Sequence, residues 1–264
     1  MSGGLAELFE RTRAESRGAL VGYLPAGYPT VERSKELLAA TIDAGADLVE
    51  VGVPYSDPVM DGPTIQAAAD AALKAGFRLK HLFEVVESVA SRGGRAVVMT
   101  YWNPVHRYGV DAFARDLAAA GGLGLITPDL TPDEAGDWLA ASETHGLDRI
   151  FLVAPSSSEE RIALTARASS GFVYATAVMG VTGARDSVGA SAADLVRRTR
   201  EHTDLPIGVG LGVRSGDQAA EVASFADAVI VGSALVSRAG EGVPAVRELA
   251  AELAEGVRRP AVPA

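Results

Sequence analysis

Eight times along this chain a short apolar run is followed by an amphipathic stretch, and no other feature limits the possible folds as strongly. The runs occupy residues 19–24, 47–53, 96–101, 122–127, 150–154, 171–175, 206–210 and 227–232. Helical patterns lie at 31–44, 79–91, 111–120, 132–145, 159–168, 192–202 and 215–225, and 245–257 closes the chain. Strands separated by helices imply parallel pairing with right-handed crossovers, because a twisted strand feeding a helix packs back onto its sheet in one hand. Eight such units in 264 residues fit closure into a barrel better than an open doubly wound sheet, which the same pattern also produces. Residues 1–18 carry Glu7, Glu10 and Glu15 among apolar positions, the pattern of an amphipathic helix and unlike a basic-then-apolar signal peptide. The expectation is an α/β chain forming one (β/α)8 TIM-barrel domain over residues 1–264, with an extra N-terminal helix.

Composition narrows the function classes. Hydrophobic residues make up 48% of the chain and aromatics 6%, which suits buried parallel strands under helices. A formal charge of -10, with acids and bases interspersed, excludes the basic footprint that a nucleic acid demands. There is no cysteine, so neither a disulfide framework nor thiolate chemistry is available, in keeping with a cytoplasmic enzyme. No apolar run approaches the ~20 residues needed to cross a bilayer, so no membrane association is expected.

In a barrel the active site forms from loops at the carboxyl ends of the strands. Glu50 lies near that end of the second run, between Val49 and Val51. Alternation makes it either an interior carboxylate or an outward one under a helix, and both positions are costly without a partner. One reading is a structural ion pair with an arginine. The other is a carboxyl group whose pKa burial raises toward neutrality, able to deliver a proton and retrieve it. Asp61, before Gly62-Pro63, is either a helix-start residue or a second carboxylate reaching a small substrate from another side. Asp57, between Ser56 and Pro58, reads as a turn residue.

Glycine-containing turns follow the last three strands: Gly180-Val181-Thr182-Gly183, Gly210-Leu211-Gly212 and Gly232-Ser233. One such turn is ordinary, but three at successive strand ends, with a helix starting after Gly232-Ser233, make a cradle of backbone N–H groups for a phosphate. Residues 180–187 also read as a lid. Lysine and metal chemistry find no support: Lys35, Lys74 and Lys80 fall on or beside helices. His81, His106, His145 and His202 are scattered singly, so no metal site is expected. What remains is carboxylates, the tyrosines Tyr23, Tyr101 and Tyr174 near strand ends, and backbone donors, which together suit proton transfer on a phosphorylated substrate.

The segment from Glu50 to Gln66 resembles the signature of tryptophan synthase alpha chains. So do Tyr101-Trp102-Asn103-Pro104, Pro128-Asp129-Leu130, Gly180-Val181-Thr182-Gly183, Gly208-Val209-Gly210-Leu211-Gly212 and Val231-Gly232-Ser233-Ala234, in order along the chain. The resemblance implies a lyase splitting indole-3-glycerol phosphate into indole and glyceraldehyde 3-phosphate. Glu50 would protonate the indole ring and Asp61 would hold and deprotonate its N–H. Gly183, Gly212, Gly232 and Ser233 would bind phosphate, Tyr174 would sit beside the carboxylates, and Thr182 would close with the lid. Tyr23 and Leu211 would line the indole pocket, with Tyr101 and Asp129 nearby. Met60 and Met179 depart from the commonest family pattern without touching this chemistry.

The family also implies a beta chain partner in an αββα heterotetramer, with pyridoxal phosphate in the partner and no cofactor in this chain. Val53, Pro54, Val59 and Pro104 are compatible with that contact and equally with loop packing. Three rivals stay open: another phosphate-binding barrel such as a sugar-phosphate isomerase, a stand-alone lyase releasing indole, and a subunit acting mainly as activator of its partner.

Overall fold

The computed structural model describes residues 4–177 and 185–259. Helix α1 (Gly4–Ala14) leads into β1 (Ala19–Pro25), α2 (Val31–Asp43) and β2 (Leu48–Gly52). Then come α3 (Pro63–Lys74), α4 (Lys80–Ala90), β3 (Ala96–Met99), α5 (Trp102–Tyr108), α6 (Val110–Ala119) and β4 (Gly124–Ile126). A 3-10 turn (Pro132–Glu134) precedes α7 (Gly136–His145), followed by β5 (Asp148–Ile150), β6 (Leu152–Val153), α8 (Glu159–Ala168) and β7 (Val173–Thr176). The last third holds α9 (Arg185–Arg200), β8 (Ile207–Gly210), α10 (Gly216–Ala223), β9 (Ala228–Val231), α11 (Ser233–Glu241) and α12 (Val243–Gly256).

The strands form one sheet in the order β5-β4-β3-β2-β1-β9-β8-β7-β6, and the paired strands run parallel. Its two ends, β5 and β6, are separated only by Phe151, so they are the two halves of the fifth barrel strand. Bonds from Ser170 N–H to the Arg149 carbonyl (2.7 Å) and from Tyr174 N–H to the Phe151 carbonyl (3.0 Å) carry the pairing across that break. The result is a nearly closed (β/α)8 barrel.

Side-chain alternation divides the core in two. Val49 and Val51 point outward into the layer shared with the helices, whereas Leu48 faces the barrel interior. At the amino end of the barrel α1 acts as a plug: Leu5, Leu8 and Phe9 pack on Ala19, Val21, Leu48, Val97, Ile126, Ile150, Phe172, Ala228 and Ile230. Asp47, just before β2, ties α1 down by accepting hydrogen bonds from Arg11 (3.0 Å), Arg17 (2.7 Å) and the Leu20 N–H (3.0 Å). On the outside, α12 crosses α10 where a Cβ on Gly256 would lie 2.2 Å from the Gly216 carbonyl, so only glycine permits this approach. Among the described residues no helix is long and apolar enough to cross a membrane.

Differences from the sequence reading are local. Residues 102–108 form a short helix that Pro104 does not interrupt, because proline is tolerated in a first turn where no intrahelical N–H is needed. Helix α9 begins at Arg185, so residues 185–187 of the expected lid are helical, while Gly180, Val181, Thr182 and Gly183 lie outside the described residues.

Candidate active site

Because Leu48 faces inward, Glu50, two residues on, faces inward too. It is 1% exposed, and its Oε2 has no hydrogen-bond partner among the described residues. Among the described residues no arginine pairs with it, so the structural ion pair finds no support there. Burial, and then the nearby Asp61, push its carboxyl pKa up to about 8. Parallel register sets Tyr23 of β1 opposite Glu50, and the Tyr23 ring leans over Gly52, where a Cβ would fall 2.3 Å from the phenol oxygen.

Asp61 comes from the loop joining β2 to α3. It does not cap the helix: the N-cap is Gly62, with Pro63 at the first helical position and no side-chain cap bond. Its carboxyl pKa is raised by partial burial, while the Tyr101 hydroxyl pulls it the other way. The loop is braced from two sides. The Tyr101 oxygen accepts from the N–H groups of Val59 (3.2 Å) and Met60 (3.1 Å), and the Gln66 side-chain amide donates to the Asp61 carbonyl (2.7 Å).

Across the barrel, Tyr174 on β7 leans against Gly210 on β8, where a Cβ would stand 2.6 Å from the phenol oxygen. Burial, and then Glu50, raise the pKa of Tyr174, whereas Tyr23 is raised by burial and then by Asp61 and Glu50. Both therefore keep their protons at neutral pH.

These side chains converge on one cavity of about 320 Å³ at the carboxyl end of the strands. Of the predicted residues, Tyr23, Glu50, Asp61, Tyr174, Gly212, Gly232 and Ser233 line it. Gly212 has a φ of +69°, which favours glycine, and Gly232 is the N-cap of α11. A glycine cap leaves the first-turn N–H groups of α11 without a side-chain acceptor, free for an anion. The wall also carries Met60, Ile65, Met99, Thr176, Ala177 and Ile230, which sequence reasoning missed. Met99 and Thr176 end their strands, so the strand-end rule alone pointed to them.

Three predicted residues do not line the cavity. Leu211 is buried in the outer core. Tyr101 supports the Asp61 loop from behind its backbone. Asp129 accepts from the Trp102 N–H (2.8 Å) and borders a separate cavity of about 220 Å³. Thr182 and Gly183 lie outside the described residues. No group of three or more His, Cys, Asp or Glu placed to hold a metal occurs among the described residues. At the amino end, Arg13, Arg17, Arg200 and Arg259 surround a cavity of about 260 Å³. Three of these pair with acids, Arg17 with Asp47, Arg200 with Asp227 and Arg259 with Asp217, and Arg200 also donates to the Phe225 carbonyl. Their charge is spent on the protein itself.

A hydrophobic-walled cavity with two carboxylates on one side and free helix-start N–H groups on the other suits proton transfer on a flat, apolar substrate carrying an anionic tail. A family model for the tryptophan synthase alpha chain matches residues 9–260. The tryptophan synthase alpha chain of Nocardia farcinica is 65% identical over 254 residues, covering 96% of each chain. That of Mycobacterium marinum is 65% identical over 255 residues, covering 97% of this chain and 95% of its own. Among solved structures, Mycobacterium tuberculosis tryptophan synthase superposes with a TM-score of 0.92 at 62% identity, over 97% of this chain and 98% of that one. A chain of the Pyrococcus furiosus tryptophan synthase complex superposes at 0.81 with 32% identity, over 91% of this chain and 98% of that one.

Proposed function

This chain belongs to the tryptophan synthase alpha chain family, and from that premise we propose that Glu50 and Asp61 carry its lyase reaction, the retro-aldol cleavage of indole-3-glycerol phosphate. The observation that carries the assignment is the buried Glu50 carboxyl, unpaired at Oε2 and pushed up to about 8, facing the cavity it shares with Asp61. At neutral pH Glu50 holds a proton and Asp61 is the better acceptor.

Glu50 gives its proton to the ring carbon bearing the glycerol chain while Asp61 takes the ring N–H proton, leaving a neutral indolenine whose C=N bond is an electron sink. The Glu50 carboxylate then removes the side-chain hydroxyl proton. The carbon–carbon bond breaks, its electron pair restores the ring double bond, and the ring nitrogen recovers its proton from Asp61. Indole and glyceraldehyde 3-phosphate leave, and both carboxyl groups are back in their starting states. No lysine adduct or metal is called on.

Tyr23 and Tyr174, kept protonated by burial, offer hydroxyl groups beside Glu50. Phosphate is bound by Gly212 and, at the start of α11, by Gly232 and Ser233; family resemblance adds Gly183 to this set and gives Thr182 to the lid, both outside the described residues. The chain acts as one domain in the cytoplasm and needs no cofactor of its own. Its partner is the tryptophan synthase beta chain, in an αββα assembly, with pyridoxal phosphate in the beta chain. Val59 and Met60, 79% and 45% exposed, place unusually apolar surface at the mouth of the cavity and support a docking contact there.

Indole release from indole-3-glycerol phosphate, followed spectroscopically with and without beta chain and serine, tests the reading. Slow cleavage that accelerates with the partner supports it. Fast cleavage alone favours a stand-alone lyase, and no cleavage under either condition removes the assignment.

A further inference from the structure

We propose that Tyr101 is a positioning residue for Asp61: its phenol oxygen holds the turn that presents this carboxylate, and Asp129 in turn holds Tyr101. The proposal rests on the role given to Asp61 above. Between the last ladder bond, from the Val53 N–H to the Met99 carbonyl, and the first bond of α3, from the Gln66 N–H to the Gly62 carbonyl, residues 54–61 have no helix or strand bonds of their own, so their shape depends on outside partners. Two consecutive N–H groups immediately before Asp61, those of Val59 and Met60, converge on the single oxygen of Tyr101 at 3.2 and 3.1 Å. An oxygen accepting two bonds has used its lone pairs, and its own proton is left for the neighbouring Asp61 carboxylate, to which the phenol is coupled. Gln66 fixes the other side of the residue through the Asp61 carbonyl.

Tyr101 is itself held. It is 5% exposed and directly precedes α5, whose first N–H, that of Trp102, donates to Asp129 Oδ1 at 2.8 Å. A carboxylate at this helix start satisfies an otherwise orphaned donor and faces the positive end of the helix. Tyr55, at the beginning of the same loop, packs against the Tyr101 ring at 5.2 Å and accepts from the Asn103 side chain at 3.1 Å. The support thus runs from the end of β4 through the end of β3 to the loop after β2. Neither Tyr101 nor Asp129 borders the cavity, so their influence on the reaction passes through Asp61.

The test is Tyr101→Phe in the full chain, assayed with beta chain present. The ring packing survives and only the acceptor is lost. The expected result is a fall in kcat of about ten- to a hundredfold with KM little changed, the scale that small misplacements of a catalytic group produce. The groups coupled to Asp61 are Glu50 from β2, Tyr23 from β1 and Tyr101 from the end of β3. Removing the hydroxyl that pulls Asp61 down moves the acidic limb of the kcat profile to higher pH and leaves the Glu50 limb in place. Amide exchange at Val59 and Met60 quickens. Asp129→Asn, which keeps an acceptor for Trp102, loses less than Asp129→Ala, and Asp129→Ala adds little on top of Tyr101→Phe.

Unchanged kcat and an unmoved acidic limb in Tyr101→Phe overturn the proposal, as does a loss confined to KM, which would make Tyr101 a substrate contact. Asp61→Asn separates the two levels. If it cleaves at full rate, the role of Asp61 and this proposal both fall; if it is inactive while Tyr101→Phe is normal, only the positioning role falls.

Discussion

Glu50 titrates near 4.5 in an unfolded chain and is pushed up to about 8 in the fold. Below pH 4.5 both states hold the proton and the site is neutral with respect to stability. Between the two values only the folded chain keeps it, so rising pH favours unfolding, and above about 8 the whole penalty is present. At about 1.4 kcal/mol per pKa unit the penalty is on the order of a few kcal/mol. Glu50→Gln keeps the shape and removes the charge. We predict that it lowers indole formation by at least about a hundredfold. In thermal melts at pH 8.5 it raises Tm relative to the parent chain, and at pH 4 the difference disappears. A variant equally destabilised at both pH values would mean that Glu50 is held by interactions other than those seen. The carboxylate was legible as a candidate because it breaks an apolar strand, but its inward direction depends on register, which Leu48 settles only once α1 is seen packed on it.

Element by element, the barrel holds together through contacts that periodicity does not reveal. Asp47 is an example: burial alone would raise its pKa, yet the hydrogen bonds from Arg17 and the Leu20 N–H outweigh burial and hold it below the ordinary carboxylate range. A depressed pKa contributes stability above the unfolded value of 3.8 that is lost as pH falls through the folded one. Asp47→Ala leaves Arg17, whose side chain is 7% exposed, without its buried partner, and we expect a loss of about 3–5 kcal/mol in urea unfolding at pH 7. The loss shrinks as the pH is lowered, and kcat of the folded protein is unaffected, since the residue sits at the end of the barrel away from the cavity. A loss independent of pH would assign the effect to packing instead. The strand–helix order itself was readable, because buried parallel strands leave continuous apolar runs. The division of the fifth strand at Phe151 was not, since it depends on which neighbour each half pairs with. Helix α5 escaped because Tyr101-Trp102-Asn103-Pro104 looks like a loop until Asp129 is seen supplying the acceptor for its first N–H.

At the scale of the whole molecule, the sequence order of the strands predicts the circular arrangement of the site: the carboxyl ends of β7 to β9 and the loop after β2 meet over one cavity because the sheet nearly closes on itself. Tyr101 and Asp129 came close to that cavity in sequence reasoning and proved to stand behind it, since a motif marks a neighbourhood and not a direction. Val59 shows the opposite relation to its surroundings. Its N–H is bound inward by Tyr101 while the residue as a whole is 79% exposed, so one residue joins the braced loop of Asp61 to the outer surface. Together with Met60 it offers apolar surface that a partner can cover. If the beta chain docks here, its binding and the placement of Asp61 share one loop, and docking can tighten that loop without touching substrate. Val59→Asp puts a charge into the covered surface, which is expensive only in the complex. We predict that it weakens beta chain binding, measured by titration calorimetry, by about tenfold or more. The acceleration of indole release by the partner then requires more beta chain to reach its plateau, while the slow cleavage by the lone chain changes far less. Equal losses in both rates, with binding intact, would show that Val59 serves only the loop and that the partner docks elsewhere.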